Sequence, residues 1–127
     1  MKRIIIAVIL ITCPLMVTAD DAGTKSSLAA ALKLWQPVSV AVKGATATVR
    51  TKENRVTEQI YLAMVGGVCL RTLSAPGTLL QLSEISFLNR HAAQGYVFEG
   101  GENECKEYVK LPGNKTKLWV LGRTHLN

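Results

Sequence analysis

Three groups of side chains in this sequence have the types and the spacing that chemistry could use. The tripeptide Asn89-Arg90-His91 lies between two predicted strands, where a loop histidine can act as a general base or as a ligand. Neighbouring carboxylates can transfer protons or hold a cation, and four of them surround a pair of glycines: Glu99, Glu102, Glu104 and Glu107. The third group is the cysteine pair Cys69 and Cys105, which could form a disulfide.

The residues that catalysis or metal binding would also need are missing from the sequence around these groups. No serine or cysteine nucleophile in a recognisable context accompanies His91, and the acidic spacing matches no calcium loop. The two histidines, His91 and His125, show no metal-ligand spacing with the cysteines. We therefore predict no cofactor and no metal. A small hydrolase that uses His91 with a carboxylate from residues 99–107 is the alternative.

The same part of the chain has the residue types of a contact surface. Tyrosine and arginine are enriched in protein–protein interfaces, and loops between strands often carry binding residues. We interpret Tyr96, Phe98, Glu99, Arg90 and His91 as the candidate binding surface.

The first 19 residues are typical of a secretory signal peptide. Lys2 and Arg3 give a positive start, Ile4–Ile11 is a short apolar segment, and Val17-Thr18-Ala19 resembles a cleavage site before Asp20. We predict cleavage near Ala19 and a periplasmic or secreted mature protein, with an uncleaved membrane anchor as the alternative. Lipidation at Cys13 is a further alternative, for which the preceding Thr12 is a poor fit.

Export leaves two cysteines in the mature chain, and an oxidising compartment favours a disulfide between Cys69 and Cys105. Such a link would stabilise a small domain by roughly 4 kcal/mol in the chain-entropy description. Two unrelated buried thiols are the alternative.

The charge of the chain is modestly basic. The net charge is +6 for the whole sequence, and removal of Lys2 and Arg3 leaves 13 basic against nine acidic residues. Because an exported chain does not meet nucleic acid first, we predict none as a partner. Another envelope protein is the predicted partner. Anionic lipid or wall polymer is the alternative, bound through four basic residues: Lys43, Arg50, Lys106 and Lys110.

Hydrophobic periodicity predicts one domain over residues 20–127. After a flexible start at residues 20–26, the pattern predicts a short helix at 27–35, a hairpin at 38–51 and a central helix that contains Ile60–Leu70 and ends by Leu73. Gly66-Gly67 indicates either a close approach of another segment or the end of that helix. Four further segments have strand patterns: residues 85–88, 96–98, 105–111 and 118–121.

These elements predict an α+β fold in which two helices pack on an antiparallel sheet of about five strands. The sequence contains no catalytic triad, phosphate-binding glycine loop or nucleic-acid module. A compact exported domain with few clustered ionisable groups is typical of a binding module. The predicted function is therefore that of a non-enzymatic binding protein of the bacterial envelope, such as an adaptor, an inhibitor or an immunity-type partner.

Overall fold

The computed structural model describes residues 20–127. The predicted signal peptide and Cys13 lie outside the described residues. Within them, none of the helices has the length and apolar character that crossing a membrane requires.

Residues 20–127 form a small α+β domain with a five-stranded mixed sheet and four α-helices. The helices are α1 (Asp21–Ala31), α2 (Glu58–Ser74), α3 (Glu102–Tyr108) and α4 (Thr116–Leu121). The strands are β1 (Ser39–Lys43), β2 (Thr46–Arg50), β3 (Glu84–Leu88), β4 (Gly95–Phe98) and β5 (Thr124–Leu126). Two 3₁₀ turns, Lys33–Trp35 and Gly113–Lys115, precede β1 and α4.

Helix α1 begins at Asp21, inside the segment for which the sequence predicts a flexible start. The Asp20 carboxylate caps it by accepting a hydrogen bond from the Gly23 amide at 2.9 Å. The buried side of this helix includes Thr24 and Ser27, whose hydroxyls hydrogen-bond to Thr78. Because these small polar side chains carry no hydrophobic signal, the periodicity of the sequence places the helix start too late.

The central helix is confirmed as α2. Thr57 is its N-cap and accepts a hydrogen bond from the Ile60 amide at 3.2 Å. The helix continues through Gly66 and Gly67, and other side chains lie close to both glycines. A Cβ atom on Gly66 would lie 2.9 Å from the Tyr108 hydroxyl, and one on Gly67 would lie 3.1 Å from the Trp35 ring. Close approach is therefore the reason for the two glycines.

The sheet has the strand order β1-β2-β3-β4-β5. The β1–β2 hairpin is confirmed, and its turn contains Gly44 at a φ of 59°. The prediction of a wholly antiparallel sheet is wrong, because β2 pairs with β3 in parallel. Helix α2 connects these two strands, and a helical crossover of this kind returns the chain in the same direction.

The described helices cover one face of the sheet. Val49, Phe87 and Phe98 point toward the helices and are buried. Tyr61 of α2 packs edge-on against Phe87 and stacks on Tyr96, with ring centroids 5.7 and 4.8 Å apart. Alternate residues on each strand therefore face the other side of the sheet.

The predicted strands at 105–111 and 118–121 are wrong, because these segments contain helices α3 and α4. The Glu104 carboxylate accepts a hydrogen bond from the Gly101 amide at 2.8 Å and so caps the start of α3. In the helix, Cys105 faces α2 and is buried. The alternation of charged residues along 105–111 resembles the pattern of a strand. In the structure these residues lie in or after a helix, which exposes Lys106 and Glu107 to solvent.

A disulfide joins Cys69 of α2 to Cys105 of α3, as predicted, and both cysteines are fully buried. It connects α2 to the short helix that follows β4. The bond therefore holds the C-terminal third of the domain against the central helix.

Candidate functional site

The parallel pairing of β2 and β3 places the segments that follow these strands at the same end of the sheet. The Thr51 amide donates to the Leu88 carbonyl at 2.8 Å, and the Arg90 amide donates to the Glu53 carbonyl at 2.9 Å. Residues 50–55 and 89–94 are thus adjacent surface segments. We call this surface the basic end, after its four basic residues: Arg50, Lys52, Arg55 and Arg90.

The positive charge of the described chain is concentrated at the basic end. Residues 50–55 and 89–94 contain four basic side chains against the single acidic Glu53, whereas the other described residues contain nine basic against eight acidic ones. None of the four basic side chains forms an ion pair with a residue in 20–127, although Lys117 and Arg123 do elsewhere. Their charge is therefore available to an anionic ligand.

Hydrogen bonds hold the 89–94 loop in one conformation. Asn89, which is buried, donates from Nδ2 to the Asn54 carbonyl at 3.0 Å. Its Oδ1 accepts from the amides of Ala93 and Gln94 at 2.9 and 3.2 Å. The Gln94 side chain pairs with the backbone of Val56, accepting from its amide at 2.8 Å and donating to its carbonyl at 2.9 Å. The loop is therefore attached at both ends to the segment that precedes α2.

The tip of this loop carries the exposed residues Arg90, His91, Ala92 and Ala93. Ala92 has a φ of 57°, in the left-handed region that non-glycine residues adopt at a cost of order 1 kcal/mol. Arg90 donates from Nε to His91 Nε2 at 3.2 Å. The network around Asn89 and Gln94 thus maintains a strained conformation that presents these two side chains to solvent.

The structure brings together only part of the predicted binding surface. Arg90 and His91 are exposed at the basic end. Phe98 is fully buried, and Tyr96 is half-buried against Tyr61, so both face the helices. Glu99 is exposed at the opposite end of β4, where its Oε1 lies 2.6 Å from Nδ1 of His125.

In the hydrolase alternative, His91 shares no hydrogen bond or ion pair with the carboxylates of the 99–107 region. The hydrogen-bond partner of the His91 ring is Arg90, while the four carboxylates of the 99–107 region have other partners or face solvent. Glu102 is buried and accepts a hydrogen bond from the Gly77 amide at 2.7 Å. Glu107 pairs with Arg123 at 3.4 Å. In the part of the chain that the structure describes, no group of three or more His, Cys, Asp or Glu side chains could hold a metal ion.

The four lysine and arginine residues of the lipid-binding alternative do not form one patch. Lys43 and Arg50 lie at opposite ends of the β1–β2 hairpin. Lys106 is on α3, and Lys110 follows that helix on the helical side of the domain. Only Arg50 belongs to the basic end.

The order of elements along the sequence predicts the basic end, but the prediction of an antiparallel sheet misses it. A hairpin, a long helix and a strand in succession indicate a parallel pair on either side of the helix. That pairing would have placed Lys52 and Arg55 beside Arg90. The roles of Asn89 and Gln94 have no such signal, because their partners are 35 and 38 residues away in the chain.

The fold and the site together define a small α+β domain with a rigid, positively charged loop surface at one end of its sheet. Comparison of the chain with protein-family models, with curated proteins and with solved structures found no match.

Proposed function

We propose that this chain is an exported, non-enzymatic binding protein of the bacterial envelope whose basic end binds an acidic surface of another envelope protein. Such a module could serve as an adaptor, an inhibitor or an immunity-type partner. The observation that supports the proposal is the set of four basic side chains, free of ion pairs within residues 20–127, around a loop held by hydrogen bonds.

The rigidity of the loop favours binding. Association costs conformational entropy when a loop must become ordered, and a surface that is already ordered avoids most of that cost. Arginine side chains form two parallel hydrogen bonds with a carboxylate, which adds geometric specificity to charge attraction. Arg55 and Arg90 are exposed and suited to this role.

One observation favours binding over catalysis, and a second favours an exported location. His91 and Glu99 hydrogen-bond to Arg90 and His125, respectively, and not to each other. The disulfide between Cys69 and Cys105 is of the kind that persists in an oxidising compartment. The apolar leader before Asp20 also supports an exported location.

An anionic lipid surface is a second candidate for the ligand. Lys52 donates from Nζ to Gln36 Oε1 at 3.2 Å, which joins the basic end to the segment that follows α1. In that segment Leu34 is 87% exposed and Val38 is 51% exposed. Apolar side chains next to lysines are the combination that binds the surface of an anionic membrane.

The test is affinity capture from an envelope extract with three forms of the mature protein. These are the wild type, the double variant Arg55→Glu/Arg90→Glu, and the control Lys25→Glu/Lys115→Glu. The control makes the same change in net charge at exposed positions outside the basic end. Circular dichroism and the disulfide content of each form establish that all three are folded.

We expect a stoichiometric protein partner to be captured by the wild type and by the control, and to be lost with the double variant. Binding to vesicles of anionic lipid, measured in parallel with the same three forms, would support the second candidate if protein capture is absent. Capture that is equal for all three forms would show that the basic end is not the binding surface.

A further inference from the structure

Arg50 differs from the other basic residues of the basic end because its guanidinium is partly enclosed. It is the last residue of β2, and the preceding Val49 points toward the helices, so Arg50 lies on the opposite face of the sheet. Its neighbours on the adjoining strands are Ser39 of β1 and Leu88 of β3.

The Arg50 guanidinium has no counter-ion in the described part of the chain. Its Nε atom is buried and has no hydrogen-bond partner, and Arg50 forms no ion pair with any of residues 20–127. Removing part of a cation from water without an anionic partner is unfavourable. An anion that binds there would therefore offset a cost that the fold already bears.

Two side chains near Arg50 on this face carry hydroxyl groups and are at least partly exposed. Thr48 precedes it on the same face of β2, and its cross-strand neighbours are Ala41 and Ser86. Ser39 lies directly across from Arg50 on β1 and is exposed, whereas Ser86 is buried. The hydroxyls of Ser39 and Thr48 are suitable donors to an oxyanion beside the guanidinium.

We infer that Arg50, with the hydroxyls of Ser39 and Thr48, is the subsite of the basic end that takes one oxyanion, a carboxylate or a phosphate, of the ligand. The inference rests on the proposed function, since it assigns one chemical group of the anionic ligand to one position. Arg55 and Arg90 then supply attraction at the exposed loops. Arg50 supplies the fork of donors that recognises the shape of the oxyanion.

The test is side-chain nuclear magnetic resonance of the folded mature protein, with the Nε–H signal of each arginine observed. The Arg50 signal is assigned by its loss in the Arg50→Lys variant, which keeps the positive charge. A hexaglutamate peptide with blocked ends and inorganic phosphate are added separately at low ionic strength. The two additions distinguish carboxylate from phosphate as the source of the oxyanion.

We expect the Arg50 Nε–H signal to shift and saturate with at least one of the two probes. Arg50→Lys should weaken binding of that probe on the order of tenfold, because the forked donor is lost while the charge remains. The control Arg71→Lys changes an arginine that hydrogen-bonds to Ser27 on the helical side, and should bind as the wild type does.

Two outcomes would overturn the inference in distinguishable ways. If the signals of Arg55 and Arg90 move while that of Arg50 does not, the subsite is wrong and the proposed function stands. If no arginine of the basic end responds to either probe, both the subsite and the anion-binding surface are wrong.

Discussion

At the scale of single residues, Tyr61 connects α2 to three strands of the sheet. Its ring packs on Phe87 and Tyr96, and its hydroxyl lies 2.6 Å from Oγ1 of Thr124 in β5. Burial raises the pKa of Tyr61 to about 12. The folded protein therefore holds the phenol proton more tightly than the unfolded chain, whose tyrosine pKa is about 10.

This difference predicts an alkaline loss of stability that depends on Tyr61. The contribution is fully present below pH 10 and is lost as the pH rises toward 12, with an upper limit of about 3 kcal/mol. Urea unfolding of the wild type and of Tyr61→Phe, measured from pH 8 to pH 12, should show the steeper decline in the wild type. Equal pH dependence in the two proteins would contradict this assignment.

A substitution of Gln94 tests how firmly the loop of the basic end is held. Gln94→Ala removes both hydrogen bonds to the backbone of Val56 and leaves that amide and carbonyl unpaired. We expect a loss of about 1–3 kcal/mol in the free energy of unfolding and faster amide hydrogen exchange in residues 89–94. Gln59→Ala, at an exposed position on α2, is the control. Equal exchange rates in residues 89–94 of the two variants would show that Gln94 does not hold the loop.

At the scale of elements, the sequence predicts those whose signal is local. The apolar run Ile60–Leu70 predicts α2, and the alternation around Gly44 predicts the hairpin. Helices α3 and α4 are missed because only six or seven residues form each, too few for helical periodicity to stand out from alternation. Tertiary contacts decide these segments, and for α3 the disulfide at Cys105 is one of them.

The start of α3 requires a glycine because a side chain there would collide with the backbone of another segment. A Cβ atom on Gly101 would lie about 2 Å from the Leu82 carbonyl oxygen, which belongs to the segment before β3. Gly101→Ala should therefore cost more than about 2 kcal/mol in the free energy of unfolding. Gly113→Ala has open space around the new methyl group and should change stability by less than about 0.5 kcal/mol. Similar urea midpoints for the two variants would refute the contact.

The disulfide should account for a large share of the stability. Replacing both cysteines, in Cys69→Ala/Cys105→Ala, removes a buried cross-link between α2 and α3. We expect a loss of about 2–5 kcal/mol in the free energy of unfolding, measured with urea against the oxidised wild type. Non-reducing peptide mapping of exported protein should find the two cysteines linked. Two free thiols in that map would contradict the pairing.

At the scale of the whole molecule, two surfaces compete as the place where a partner binds. The basic end carries most of the excess positive charge and a rigid loop. On the helical side, α2 exposes Leu70 and Leu73, which are 59% and 65% exposed. Exposed apolar groups also mark interaction sites, so the two surfaces make different predictions about which amides a partner covers.

The salt dependence of binding helps to distinguish the two candidate binding surfaces. Attraction between exposed charges is screened as ionic strength rises, so binding at the basic end should weaken with added salt. Contact through the leucines of α2 would be unaffected or strengthened, because the hydrophobic effect does not depend on charge. The site of contact itself requires a measurement at the level of residues.

The most direct test of the central claim is amide hydrogen exchange of the mature protein, alone and in complex with the partner that affinity capture recovers. We predict that protection on binding is concentrated in residues 50–55 and 89–94 and is lost with Arg55→Glu/Arg90→Glu. Protection confined to α2 and α3, with those two segments exchanging as in the free protein, would show that the basic end is not the binding surface.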